Sequence, residues 1–227
     1  MQTLTHPEAG QSAPDFLAMA MAAPKPDAHD AREDLCRFLA ACYYEPTSAF
    51  TEEGLFESMH AAAAVIDDRL AAQVLRLGHA FAAQDLQSLL VDYTRLFLGP
   101  VRPLASPYGS HWLGEGATLM HESTLAVREL YRDGGFEVDD DFPELPDHVA
   151  VELEFLYLLT FTEHSCVRMA DAALGVTRAL KQRFLREHLG AWVSPFARAV
   201  AEGAQTAFYR ELAAVTERIV QAEAKAE

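Results

Sequence analysis

Glu144-Leu-Pro-Asp-His-Val-Ala-Val-Glu-Leu-Glu-Phe-Leu-Tyr-Leu-Leu-Thr-Phe-Thr-Glu-His164 is the stretch on which the fold turns. Pro146 suits the first turn of a helix, where the N–H it lacks would have no partner. From 147 to 164 the apolar residues recur at helical spacing: Val149, Leu153, Leu156, Tyr157, Thr160 and Phe161 on one side, Phe155 and Leu159 on another. A helix apolar around most of its circumference is buried on most of it. This one is expected at the centre of the molecule, with Leu153, Leu156, Tyr157 and Phe161 as its buried stripe.

Helical periods continue outward in both directions. Upstream, a helix is expected from near Asp30 to Cys42, stopped by Pro46. A second starts at Ser48 or Thr51 and runs towards Ile66, a third covers about 67–82, and a fourth, near 85–98, ends at Gly99-Pro100. Residues 99–116 hold Pro100, Pro103, Pro107 and four glycines, so this segment reads as a loop. A helix from about Thr118 to Arg132 closes at Gly134-Gly135. An acidic loop follows, with Glu137, Asp139, Asp140, Asp141 and Glu144. Downstream, helices are expected near 168–189, 192–203 and 204–224, with Gly190 and Pro195 at the breaks. No strand alternation and no internal repeat occurs. The expectation is an all-α single domain, a bundle of roughly eight to ten helices over 29–227, preceded by a mobile tail, 1–28, rich in Ala, Pro, Thr and Gln.

Composition agrees and excludes some functions. Half of the 227 residues are hydrophobic, enough for one full core. No apolar run approaches the ~18 residues of a membrane-spanning helix. The formal net charge of −16 argues against nucleic acid as a partner and suits a basic one. Cys36, Cys42 and Cys166 have neither disulfide-framework nor zinc-knuckle spacing and are expected as buried, reduced thiols of a cytoplasmic protein. The N-terminus lacks the basic segment and apolar core of a secretory signal.

Two segments mix polar and aromatic residues beside helix ends. One holds Asp92, Tyr93 and Phe97, followed by Ser106-Pro-Tyr108-Gly-Ser110-His-Trp112. The other holds Glu144, Asp147 and His148. Asp147 at a helix start can cap the free N–H groups there. His148 and Glu152, spaced i,i+4, share a helical face that continues into Phe155 and Leu159. Polar groups leading onto an apolar stripe suit the mouth of a peptide groove. The plainer alternative makes Asp147 a cap and His148 a partner of Glu152.

These residues resemble the TorD/DmsD/NarJ family of redox-enzyme maturation chaperones. The family signature is Glu-Pro-x-Asp-His followed by x-x-x-Glu-Leu-x-Phe. The chain has Glu144, Leu145, Pro146, Asp147 and His148, then Glu152, Leu153 and Phe155. Leu145 stands where the family has Pro, which alters the turn and keeps the Asp-His pair. Tyr93 to Gly99, the Pro107-Tyr108-x-Ser110 loop, Glu122-Ser123-Thr124 and the run from Phe184 through His188, Leu189 and Trp192 to Phe196 add to the likeness over about 30–224.

The resemblance implies a TorD-like helical fold and no catalytic activity. It implies a cytoplasmic chaperone that binds the twin-arginine leader, the apo form, or both, of a molybdopterin-dependent oxidoreductase subunit until cofactor insertion is complete. Glu144, Asp147 and Glu152 would face the basic part of a leader. Tyr93, Phe97, Tyr108, Trp112 and Phe155, with Ser110 beside them, would line its apolar part. No cofactor is implied, and the chain would act as a monomer or homodimer.

Two other function classes compete. A helical di-iron enzyme needs Glu-x-x-His motifs on two helices, and no such pair of motifs occurs among the nine histidines, so no metal site is expected. A hydrolase lacks its Gly-x-Ser-x-Gly elbow and any strand to hold one, and there is no Gly-x-x-x-x-Gly-Lys loop for nucleotide phosphates. An unrelated helical adaptor shares the composition but not the Asp-His signature.

Overall fold

The computed structural model describes residues 27–99, 102–114, 122–138, 142 and 144–226. The expected tail, 1–28, falls almost wholly outside them. Of its last two residues, Asp27 caps the first helix and Ala28 opens it.

That helix, α1, spans Ala28–Cys42. It starts earlier than expected because Asp27, not Asp30, is the N-cap. Asp27 accepts from His29 N–H and Asp30 N–H, while Asp30 returns a bond to the Asp27 N–H in a capping box. The second expected helix is two pieces, α2 (Ala49–Glu52) and α3 (Leu55–Ile66), divided at Gly54, whose φ is 66°. Helix α4 covers Asp68–Ala82 and is capped by Asp67. Helix α5, Leu86–Tyr93, continues as a π-helical turn, Thr94–Leu98. The 99–116 loop contains a short helix, α6 (Gly109–Leu113). Helix α7 covers Glu122–Asp133 and closes where Phe136 N–H reaches back to Tyr131 and Gly135 N–H to Arg132.

The long central helix is α8, Val149–Met169. Three more follow: α9 (Leu174–Glu187), α10 (Leu189–Gly203) and α11 (Ala207–Lys225). The break before α10 falls at His188, not at Gly190. Gly190 lies inside α10, and a Cβ there would sit 2.2 Å from the Leu185 carbonyl oxygen. Pro195 is also inside α10. It costs one backbone hydrogen bond, and packing on α9 and α11 carries the helix through.

Among the described residues there are nine α-helices of at least eight residues and no β-strand. The architecture is an all-α bundle. Helix α8 packs on α1, α9 and α10; α3 joins α1 to α4; α11 lies against α4 and α10. Leu153 and Leu156 are fully buried as expected, but Tyr157 is half-buried and Phe161 is 44% exposed. The interior side of α8 runs instead through Val149, Val151, Leu153, Phe155, Leu156 and Leu159, all buried. Asp92, buried on α5, accepts from the Gln205 and Thr206 N–H groups and the Thr206 hydroxyl, so it caps α11 from another helix. Cys36, Cys42 and Cys166 are free, buried thiols.

Candidate functional site

The two segments singled out by the sequence meet. Gly109 N–H donates to the Asp147 carbonyl at 2.8 Å, and Val149 N–H donates to the Pro107 carbonyl at 2.7 Å. Tyr108 and His148 thus pair as an isolated antiparallel bridge. This bridge holds α6 against the start of α8.

Asp147 is a cap, but not of its own helix. One carboxylate oxygen accepts the Ser110 N–H at 2.8 Å, at the first turn of α6. The other oxygen is buried without a partner, as is the Ser110 hydroxyl. His148 caps α8 itself: its Nδ1 accepts the Ala150 N–H at 3.2 Å. Both expected pairings therefore change. His148 does not bond Glu152, which accepts from the Trp192 indole N–H at 3.1 Å across the core. Gly109 is required here, because a Cβ would lie 2.9 Å from Trp192 Nε1 and 3.0 Å from Glu152 Oε1.

Burial dominates the electrostatics. It raises the Glu152 carboxyl well above the usual range; the Trp192 bond pulls it down and the Asp147 charge adds to the rise. Burial lowers His148 to about 4, against the pull of Glu144 and Asp147, so the ring is neutral at physiological pH. Glu154, two residues after Glu152 and on a different face, is raised by burial to about 7.

Nearer the surface, the Tyr108 hydroxyl donates to Glu144 at 2.6 Å, and the Tyr44 hydroxyl donates to Glu154 at 2.9 Å. Both rings pack on His148: Tyr44 is stacked with ring centroids 6.3 Å apart, and Tyr108 meets it edge-on at 5.3 Å. Tyr93 is buried nearby, its hydroxyl pushed up to about 12 by burial and by the charges of Glu144 and Glu45. Tyr44 and Glu154 were not singled out by the sequence. The signals were there: Glu154 is a second carboxylate inside an apolar helix, and Tyr44 adjoins the Pro46 helix stop.

The remaining expected residues divide by depth. Asp147, His148, Ser110, Glu152, Phe155, Tyr93 and Phe97 are buried, whereas Glu144, Tyr108 and Trp112 are half-buried. Phe155 does not line an open groove. It is enclosed by Tyr131, Phe136 and Phe184. Phe97 sits in the core among Tyr43, Tyr93, Phe196 and Tyr209. Trp112 donates its indole N–H to the Ser106 carbonyl at 2.9 Å and packs on Phe196. Of the acidic loop, Asp139, Asp140 and Asp141 lie outside the described residues.

Metal-ligand types converge elsewhere. Ligand atoms of Asp27, Asp30 and His164 lie within 4.8 Å of one another. Their present contacts account for them, since the two aspartates form the α1 capping box and His164 bonds Glu33 at 2.8 Å. A Glu-x-x-His spacing does occur, at Glu57 and His60 on α3, with no second one to complete a di-iron set.

A family model described as the nitrate reductase delta subunit matches residues 52–198, a span that contains α6, α8 and the bridge between them. The chain belongs to this family. Curated relatives of this family member are called chaperone protein TorD. The one from Shewanella pealeana is 28% identical over 147 residues, 62% of this chain and 61% of its own length. The one from Vibrio parahaemolyticus is 30% identical over 128 residues, 55% of this chain and 57% of its own. The chain thus spans about three-fifths of the length of these relatives. A chain from Archaeoglobus fulgidus, described as a candidate redox enzyme maturation protein, shares the fold with a TM-score of 0.50 at 22% identity, covering 84% of this chain and 93% of that one. Among the described residues of this family member, no helix is long and apolar enough to cross a membrane.

Proposed function

We propose that this chain is a cytoplasmic maturation chaperone for a molybdopterin-dependent oxidoreductase. It holds the leader peptide, the apo form, or both, of the catalytic subunit until the cofactor is inserted, and it catalyses no reaction itself. It works as a monomer or homodimer. Family membership, together with relatives named as TorD chaperones, supports this reading.

The observation that carries it to a place on the molecule is the half-buried Tyr108–Glu144 pair beside Trp112, at the seam of α6 and α8. Aromatic rings and a carboxylate on adjustable backbone suit a peptide with a basic end and an apolar stretch. Asp147, His148, Ser110 and Glu152 act from beneath. Their hydrogen bonds fix the seam that presents Tyr108, Glu144 and Trp112. Tyr93, Phe97 and Phe155 support it from the core.

The test is deletion of the gene in its host. The molybdenum content and activity of the client oxidoreductase should fall severalfold while its polypeptide is still made, and a plasmid copy should restore them. Unchanged activity and molybdenum content across every such oxidoreductase of the host would overturn the proposal.

A further inference from the structure

We propose that the cavity between α1, α3, α4 and α11 binds a small organic anion, a carboxylate carried on a compact apolar body. None of its lining residues belongs to the α6–α8 seam, and the proposal stands apart from the maturation reading.

The cavity lies at a corner of the chain. Helices α3 and α4 are joined by Asp67 alone, whose extended backbone (φ −164°, ψ 129°) ends one helix and caps the next. Between this corner, α1 and α11 there is a space of about 230 Å³. Its apolar lining is Leu35 from α1, Ile66 and Leu70 from the corner, and Ile219 and Ala222 from α11. Leu35, Leu70 and Ile219 are buried, whereas Ala222 is exposed and marks the mouth. An apolar cavity of about 150 Å³ already admits a benzene-sized body, so a single ring or a short branched chain fits here.

The rim supplies charge, and its two arginines are not equivalent. Arg218 is engaged: one terminal nitrogen donates to Asp67 and the other to Gln73 Oε1 at 2.8 Å. Arg32 is held loosely. Its Nε lies 3.5 Å from Glu223 Oε1, its side chain is 40% exposed, and its terminal nitrogens hydrogen-bond no described residue. Glu223 has a closer cation, for its other oxygen accepts from Lys181 Nζ at 2.7 Å. Burial works against the Lys181 charge, but Glu223 and Glu163 hold its pKa above the usual lysine value. Both acids that line the cavity are therefore paired without Arg32: Asp67 with Arg218, and Glu223 with Lys181. Arg32 is a surplus positive charge at an apolar mouth, in a chain whose net charge is −16.

This arrangement selects the class of ligand. A guanidinium with its terminal nitrogens open presents a flat fork that matches the two oxygens of a carboxylate. The apolar lining takes the body behind it. A phosphate would bring about two negative charges to one surplus cation, with an apolar wall in place of further donors. A free acid and the C-terminal residue of a peptide share the proposed chemistry.

The test uses the full chain and follows the methyl NMR signals of Leu35, Leu70 and Ile219. The probes are phenylpropanoate, its neutral amide, and the peptide Ala-Ala-Ala-Phe with a free C-terminal carboxylate. Phenylpropanoate should shift all three signals saturably and bind about tenfold more tightly than the amide. Arg32→Gln should erase that preference. Ala222→Leu places a larger side chain at the mouth and should abolish binding; thermal melts check that both variants fold. Peptide binding at least as tight as that of phenylpropanoate would identify a chain end as the source, and weaker peptide binding a free acid. Absence of saturable shifts at these methyls, equal affinity for acid and amide, or an unchanged preference in Arg32→Gln would each overturn the proposal. So would wild-type binding by folded Ala222→Leu.

Discussion

The Asp147 carboxylate accepts the backbone N–H of Ser110 at 2.8 Å, although the two residues are 37 positions apart. Asp147 stands two residues before α8 yet caps α6, while His148 caps α8. The Asp-His pair is therefore a hinge pin between two segments: one residue serves each side.

Removing that pin has a defined cost. Asp147→Ala leaves the Ser110 N–H buried and unpaired, so it should destabilise by about 1–3 kcal/mol in a reversible denaturant titration. Asp147→Asn keeps an acceptor oxygen and should lose less than half of that. Equal losses in the two variants would mean that the charge, not the hydrogen bond, matters at this position.

Gly109→Ala tests the same seam from the other side. The new Cβ presses on Trp192 Nε1 and Glu152 Oε1. The indole–carboxylate bond should lengthen or break, costing about 1–3 kcal/mol and changing tryptophan fluorescence. Wild-type stability and emission would show that α6 can shift away freely.

In the core, two residues assigned alike by periodicity should separate. Leu156→Ala removes a fully buried side chain and should cost about 2–5 kcal/mol. Phe161→Ala acts at a 44% exposed position and should cost less than about 1 kcal/mol. Chemical denaturation of both variants reads this directly.

Stability should depend on pH through two opposed groups. Glu154 is raised from 4.5 to about 7, so the folded chain holds its proton more tightly than the unfolded chain does. Its contribution is full at the acid end and is lost as pH rises through about 7. His148 is lowered from 6.5 to about 4, so its contribution is full above 6.5 and is lost as pH falls towards 4. Glu154→Gln removes only the first. The variant should melt within about 1 °C of wild type near pH 4, below the unfolded value, and a few degrees above it near pH 8. A melting difference that does not change with pH would show that Glu154 titrates normally.

Much of the bundle was legible because helix periodicity is a local property. The apolar spacing from Val149 to Leu159, the stop at Gly99-Pro100 and the Gly134-Gly135 closure each depend on neighbours within about one turn. Gly190 and Pro195 misled for the same reason. Taken locally they are helix breakers, but α10 packs on α9 and α11, and that packing outweighs the loss of one backbone bond. Phe161 misled because a stripe shows which residues share a side, not whether a neighbouring helix reaches far enough to cover it.

The sequence by itself determined that the chain is helical and that α8 is its central element, and it singled out Glu144, Asp147, His148, Tyr108 and Trp112 as candidates for one site. Only the tertiary structure decided how they are wired. Asp147 reaches Ser110, Glu152 reaches Trp192 and Tyr44 reaches Glu154 across 37, 40 and 110 positions. Such pairings are set by how whole helices stack, and no local spacing encodes them. Burial is also a property of the assembled bundle, so it took the packed fold to keep Glu152 inside, hold His148 neutral and leave the carboxylates around it without a cation.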